Sequence, residues 1–142
     1  MTAAFAGTWL IERSIIDDET GKRIDCTGVA RLRPSEAALA YDEDVSFELD
    51  GKRIRATRAY RFTSGDNMVV ATFTDGAPFF ALALDATGCG MATHRCGEDL
   101  YTLSLRLRDS SSWETRWNVT GTKRLRIITR YHAPASGASH AP

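Results

Sequence analysis

The residues best suited to chemistry in this 142-residue chain lie in one short stretch, His94-Arg95-Cys96-Gly97-Glu98-Asp99-Leu100-Tyr101. It brings together an imidazole, a thiol, carboxylates and a phenol. An imidazole transfers protons near neutral pH. A carboxylate can orient it and hold its charged form, as the third group does in catalytic triads. A phenol can carry the proton instead. Alternating sequence flanks the stretch, and in a β-strand residues i and i+2 share a face. His94 and Cys96 therefore point one way together, as do Asp99 and Tyr101. The face of Asp99 and Tyr101 continues as Leu103, Leu105 and Leu107, which reads as the buried one. The reactive groups are expected to point into the protein.

Other chemistries of this stretch are weaker. Imidazole, thiolate and carboxylate all bind zinc, but no second cysteine–histidine pair stands at zinc spacing, and no metal is expected. His94 and Cys96 as a base–nucleophile pair would sit about 6–7 Å apart along the strand, too far for a direct hydrogen bond. A ligand between them is the better arrangement, and a buried cysteine is commonly an inert small hydrophobe.

More polar groups fall on faces that otherwise read apolar: Arg13, Tyr41, Glu43, Arg58 and Tyr60. Lone buried charges are costly unless paired. One reading pairs the arginines and acids inside the core. The other has them line a wet cavity. There Arg13, Arg58, Tyr41 and Tyr60 would bind a carboxylate or enolate oxygen. Trp113 and Trp117 would hold the body of the ligand. Glu43 would join Asp99 in orienting His94, and Tyr101 could replace His94.

The elements that must position these groups are strands. Turn signals recur at roughly 8–12-residue spacing, the pattern of an all-β domain. Strands are expected near 7–16, 23–33, 37–49, 53–63, 68–74 and 79–85, with four more after the glycine-rich loop at 86–90. Asp50-Gly51 reads as a two-residue primed hairpin turn. Pro34-Ser35 is expected to end the second strand. The strands near 68–74 and 79–85 are nearly continuous apolar runs, so their inner face is left open. Ten meandering strands suit an antiparallel up-and-down barrel, with a two-sheet sandwich as the alternative. Residues 1–132 form one domain, and the small, proline-bearing tail 133–142, with His140, is expected to be disordered.

Composition narrows the partners. Lysine plus arginine (18) balance aspartate plus glutamate (18), and no long basic run exists, so no nucleic-acid partner is expected. No apolar run approaches the roughly 20 residues of a membrane helix. The N-terminus lacks the basic and apolar blocks of a secretory signal. Three cysteines without paired spacing make no disulfide framework. A cytoplasmic protein with no membrane partner is expected, its oligomeric state left open.

Two resemblances follow from motifs. Gly7-Thr8-Trp9 at the start of the first strand is similar to the Gly-x-Trp signature of calycins, which include lipocalins, fatty-acid-binding proteins and nitrobindin-like barrels. That resemblance implies a late arginine, Arg126 or Arg130, packing over Trp9. A second resemblance covers residues 7–132. It rests on Gly7-Trp9, Tyr41-Glu43, Arg58-Tyr60-Phe62, Asp75-Gly76-Pro78-Phe79, His94-Cys96-Asp99-Tyr101, Trp113-Trp117-Val119-Gly121 and Tyr131. In this order they resemble a mainly bacterial domain-of-unknown-function family, the one numbered 6314. The chain departs from that pattern at Phe80, where a histidine is expected, and at Gly121-Thr122-Lys123-Arg124. The family implies a calycin-like barrel and no established reaction.

Two functions fit these features. One is cofactor-independent acid–base catalysis, of isomerase, cyclase or lyase type, on a small organic substrate. In it His94, Asp99, Glu43 and Tyr101 are catalytic, and Arg13, Tyr41, Arg58, Tyr60, Cys96, Trp113 and Trp117 bind substrate. The other is a carrier for a small amphipathic molecule, which needs a cavity of at least a few hundred Å³. A haem on His94 or His132 is a weaker variant, implied only by the nitrobindin-like resemblance.

Overall fold

The structure is a computed structural model that describes residues 4–65 and 67–135. The tail from 136 on, His140 and Asp66 of the fourth turn lie outside the described residues. The strands are β1 (Gly7–Asp17), β2 (Arg23–Ser35), β3 (Ala38–Leu49), β4 (Lys52–Gly65), β5 (Met68–Phe73), β6 (Pro78–Ala83), β7 (Cys89–Cys96), β8 (Asp99–Asp109), β9 (Ser112–Thr120) and β10 (Leu125–His132). Among the described residues no helix is long and apolar enough to cross a membrane.

Consecutive strands pair antiparallel except β6 and β7, and β1 also pairs with β10. The sheet runs β6-β5-β4-β3-β2-β1-β10-β9-β8-β7, so β6 and β7 are its two edges. They lie against each other without a ladder, and the sheet forms a nearly closed, calycin-like barrel. Closure hides edges that would otherwise pair with other chains. Gly90 makes the approach at this seam: a Cβ there would fall 2.5 Å from the Ala83 carbonyl oxygen and 2.8 Å from Leu82 Cδ1. No side chain fits between the strands at that point.

The turns follow backbone chemistry. Asp50 and Gly51 have φ of 52° and 76°, the positive pair that a primed hairpin requires. The β2–β3 hairpin differs from expectation. Pro34 does not end β2; it pairs with Leu39, and Ser35 pairs with Ala38. The turn is Glu36-Ala37, with φ of 44° and 49°. Neither residue advertises that conformation in the sequence.

Inward side chains from all ten strands form one core, and aromatic rings cluster in it at the end where β1 begins. There Phe5 is fully buried, and its ring meets those of Trp113 (5.0 Å) and Phe62 (6.2 Å) edge-on. Trp9 donates its indole N–H to the Phe5 carbonyl at 2.8 Å. Trp113 stacks on Tyr131 with centroids 3.6 Å apart. The arginine expected over Trp9 is not there. Arg126 pairs with Asp18 at 3.0 Å and Arg130 with Glu114 at 3.6 Å. Trp9 packs on Trp113 instead. Both arginines occupy even positions of β10, and Ile127, Thr129 and Tyr131 take the inward ones.

Candidate functional site

Five polar side chains meet deep in the barrel. Arg13 donates from Nη1 to Glu43 Oε2 at 2.6 Å and from Nη2 to Glu43 Oε1 at 2.8 Å. Its Nε donates to Thr129 Oγ1 at 2.8 Å. Tyr41 donates its hydroxyl to Glu43 Oε1 and shares a second hydrogen bond of 2.9 Å with the Tyr131 hydroxyl. The pair is nearly sealed, with side chains 10% and 1% exposed for Arg13 and Glu43. Strand periodicity places them: Arg13 is two residues beyond buried Ile11, and Glu43 lies between buried Tyr41 and Val45.

Electrostatics fix the protonation states of this network. Burial opposes the charge on Glu43, but the Arg13 guanidinium and the Tyr41 hydroxyl outweigh it and hold the carboxyl below its ordinary range. Burial likewise opposes the charge on Arg13, and the bond to Glu43 overrides it. Burial pushes the Tyr41 and Tyr131 hydroxyls upward, so both stay protonated. Glu43 thus has its oxygens engaged by Arg13 and Tyr41. It is a poor free base.

Above the network lies a pocket of about 80 Å³, lined among others by Arg58, Tyr60, Phe79, Trp113, Trp117 and Tyr131. Arg58 stands opposite Glu43 in the β3–β4 register. It is exposed, and among the described residues no carboxylate comes within ion-pair distance of it. Among the described residues the indole N–H of buried Trp113 has no hydrogen-bond partner. An unpaired buried donor is costly. Trp113 also lines the pocket.

A bulge supplies one wall. In the β5–β6 register Ala71 faces Phe80 while Thr72 faces Pro78, so Phe79 is the extra residue. An extra residue re-aims side chains, and both Phe79 and Phe80 line the pocket. Phe79 lies nearly parallel to Tyr60 (5.1 Å, 27°) and Trp117 (5.3 Å, 13°), and tilts only 29° from Phe73. The sequence places Phe79 in a family motif but not among the candidate ligand-binding residues. Two adjacent phenylalanines behind Pro78, breaking the alternation, were the available signal.

The other sequence-selected residues are spread out. His94 pairs with Tyr101 across β7–β8 and packs edge-on against Phe79 at 5.5 Å. Tyr101 meets Trp117 at 6.1 Å. Neither His94 nor Tyr101 lines the pocket directly. Asp99 does not turn to His94. Its Oδ1 accepts from Thr122 N (2.7 Å) and Thr122 Oγ1 (2.8 Å), which hold its carboxyl below the ordinary range. Cys96, expected inside, is exposed at the end of β7 beside the Gly97-Glu98 turn. Among the described residues no three His, Cys, Asp or Glu side chains converge as a metal site.

Volume tests the enclosed-ligand readings. At about 80 Å³ the pocket falls short of the few hundred Å³ a carrier of a whole amphipathic molecule needs. Nor do the residues fit a haem. His132 pairs with Glu12 at 2.9 Å in an exposed contact and lines no part of this pocket. His94 packs against Phe79 and lines no part of the pocket.

Comparison with known proteins agrees on the fold. The S-type phycobiliprotein lyase CPES from Guillardia theta superposes with a TM-score of 0.70 at 6% identity, covering 94% of this chain and 90% of that one. A protein of unknown function from the DUF3598 family of Nostoc punctiforme gives 0.68 at 11% identity, over 94% of this chain and 49% of its own. This chain therefore spans about half of that second protein. No curated protein matches the chain by sequence. A family model described as a family of unknown function, DUF6314, matches residues 5–133. That span holds the barrel, its network and its pocket, and the chain belongs to this family.

Proposed function

We propose that the barrel handles a small organic acid, received at the pocket by Arg58. The observation that carries this is the contrast in pairing: Arg13 is fully engaged, whereas Arg58 lines the same pocket without a carboxylate. A guanidinium with free donors suits a carboxylate. Tyr60, Phe79 and Trp117 supply the apolar wall for the ligand body. The fold shared with a protein named as a phycobiliprotein lyase is consistent with small-molecule handling. Tryptophan fluorescence titrated with a panel of small carboxylic acids tests this. Saturable quenching in the native chain, lost in Arg58→Gln, is the expected result. Equal quenching in both would refute the role of Arg58.

A second reading makes the barrel a cofactor-independent acid–base enzyme, of isomerase, cyclase or lyase type, with His94 as the proton carrier. One observation favours it: the His94 ring packs edge-on against Phe79, a wall of the pocket, and Tyr101 faces it across the strand pair. Once a substrate is known, His94→Ala should abolish turnover while retaining binding. Unchanged turnover would leave binding alone.

A further inference from the structure

The pocket is smaller than the group its walls are shaped for. An apolar cavity of about 150 Å³ is what admits a single benzene ring, and this one measures about 80 Å³. Yet one aromatic ring already occupies the space between two walls, and it belongs to the protein. Phe79 lies within 30° of parallel to Tyr60 of β4 and to Trp117 of β9. Among the described residues no ring contact joins Tyr60 to Trp117 directly; Phe79 is what connects them.

Phe79 is also the most movable of the three. Tyr60 sits on a strand paired with β3 and β5, and Trp117 on one paired with β8 and β10. Phe79 sits on an edge strand, at a bulge, with the unpaired β6–β7 seam beside it. Rotating its ring outward breaks no ladder. It is only half-buried, unlike its neighbour Phe80.

We propose that Phe79 is a placeholder, and that the ligand is a planar aromatic acid of one or two rings. Its ring displaces Phe79 and stacks on Tyr60 and Trp117 while its acid meets Arg58. This deepens the reading above and rests on it for the role of Arg58. Phe79 thereby sets specificity: flat conjugated acids exchange ring for ring, whereas branched aliphatic acids offer no stacking in return.

The test uses the full chain and two probes, 8-anilinonaphthalene-1-sulfonate and its uncharged counterpart N-phenyl-1-naphthylamine. Binding is followed by energy transfer from tryptophan. Phe79→Ala should tighten both probes at least tenfold at one probe per chain. Phe79→Leu, which keeps an apolar filler without a flat ring, should also tighten both, by a smaller factor. Phe79→Trp should weaken both. Adding Arg58→Gln to Phe79→Ala should weaken the sulfonate about tenfold and leave the amine within twofold. Near-ultraviolet circular dichroism and a cooperative melt establish that each variant is folded. If folded Phe79→Leu and Phe79→Ala bind no tighter than the native chain, the placeholder is wrong. That holds even where Arg58→Gln lowers sulfonate binding and the simpler reading survives. If both Phe79 variants tighten the probes but Arg58→Gln weakens neither, the placeholder stands and the acid-receiving role of Arg58 falls.

Discussion

Arg13 and Arg58 occupy equivalent kinds of position, a cation on the inward register of a strand, and they end in opposite surroundings. Arg13 is buried, with a bidentate carboxylate and a threonine hydroxyl. Arg58 stands across the β3–β4 ladder from the same carboxylate and remains exposed. Glu43 has two oxygens and gives both to Arg13. Depth decides the outcome. A buried guanidinium cannot go unpaired, whereas one at a mouth keeps its hydration and stays available. The deep layer is thus structural and the upper one receptive.

The largest way to break this contrast is to unpair the deep layer. Glu43→Gln leaves Arg13 buried without its anion and should cost about 3–5 kcal/mol in urea-induced unfolding. A loss below about 1 kcal/mol would mean the layer is wetter than its burial implies. Replacing both partners sharpens the point. Arg13→Met with Glu43→Leu should be more stable than Glu43→Gln alone, because no charge is left stranded. A strictly additive double variant would contradict the pairing.

In the aromatic cluster at the start of β1, Trp9→Phe removes one buried hydrogen bond and strands the Phe5 carbonyl. It should cost about 1–3 kcal/mol in the same measurement.

Acid offers a gentler probe of the same pair. Glu43 is held below its ordinary range in the folded state. Its contribution is therefore present above the unfolded carboxyl value of about 4.3 and is lost as pH falls through the folded one. The buried tyrosines act at the other limit. Their raised values favour the folded state until the unfolded phenols ionise, near pH 10. Melting temperature should fall beyond both limits, and Glu43→Gln should flatten only the acid side.

The smallest effect is expected at the mouth. Arg58→Gln should change stability by less than about 0.5 kcal/mol, even where it removes acid binding. A large destabilisation would place Arg58 in the structural layer after all.

Period-two alternation and turn chemistry determined most of the architecture. Strand order, the inward faces of β1, β3, β4, β9 and β10, and the Asp50-Gly51 hairpin follow from local rules, because side-chain direction in a strand depends only on parity. Parity also put Arg13, Glu43, Tyr41, Arg58, Tyr60 and Trp117 on the faces that line one pocket. Parity carries no information about height along the barrel axis, so it could not separate Arg13 from Arg58. It placed His94 and Cys96 together although Cys96 emerges beyond the rim. It also aimed Asp99 at His94, when the Gly121-Thr122 turn, distant in sequence, had already claimed that carboxylate. The bulge at Phe79 was equally out of reach, since an extra residue is defined only against the partner strand it fails to match. Depth, rim and register belong to the closed sheet, and only tertiary structure decides them.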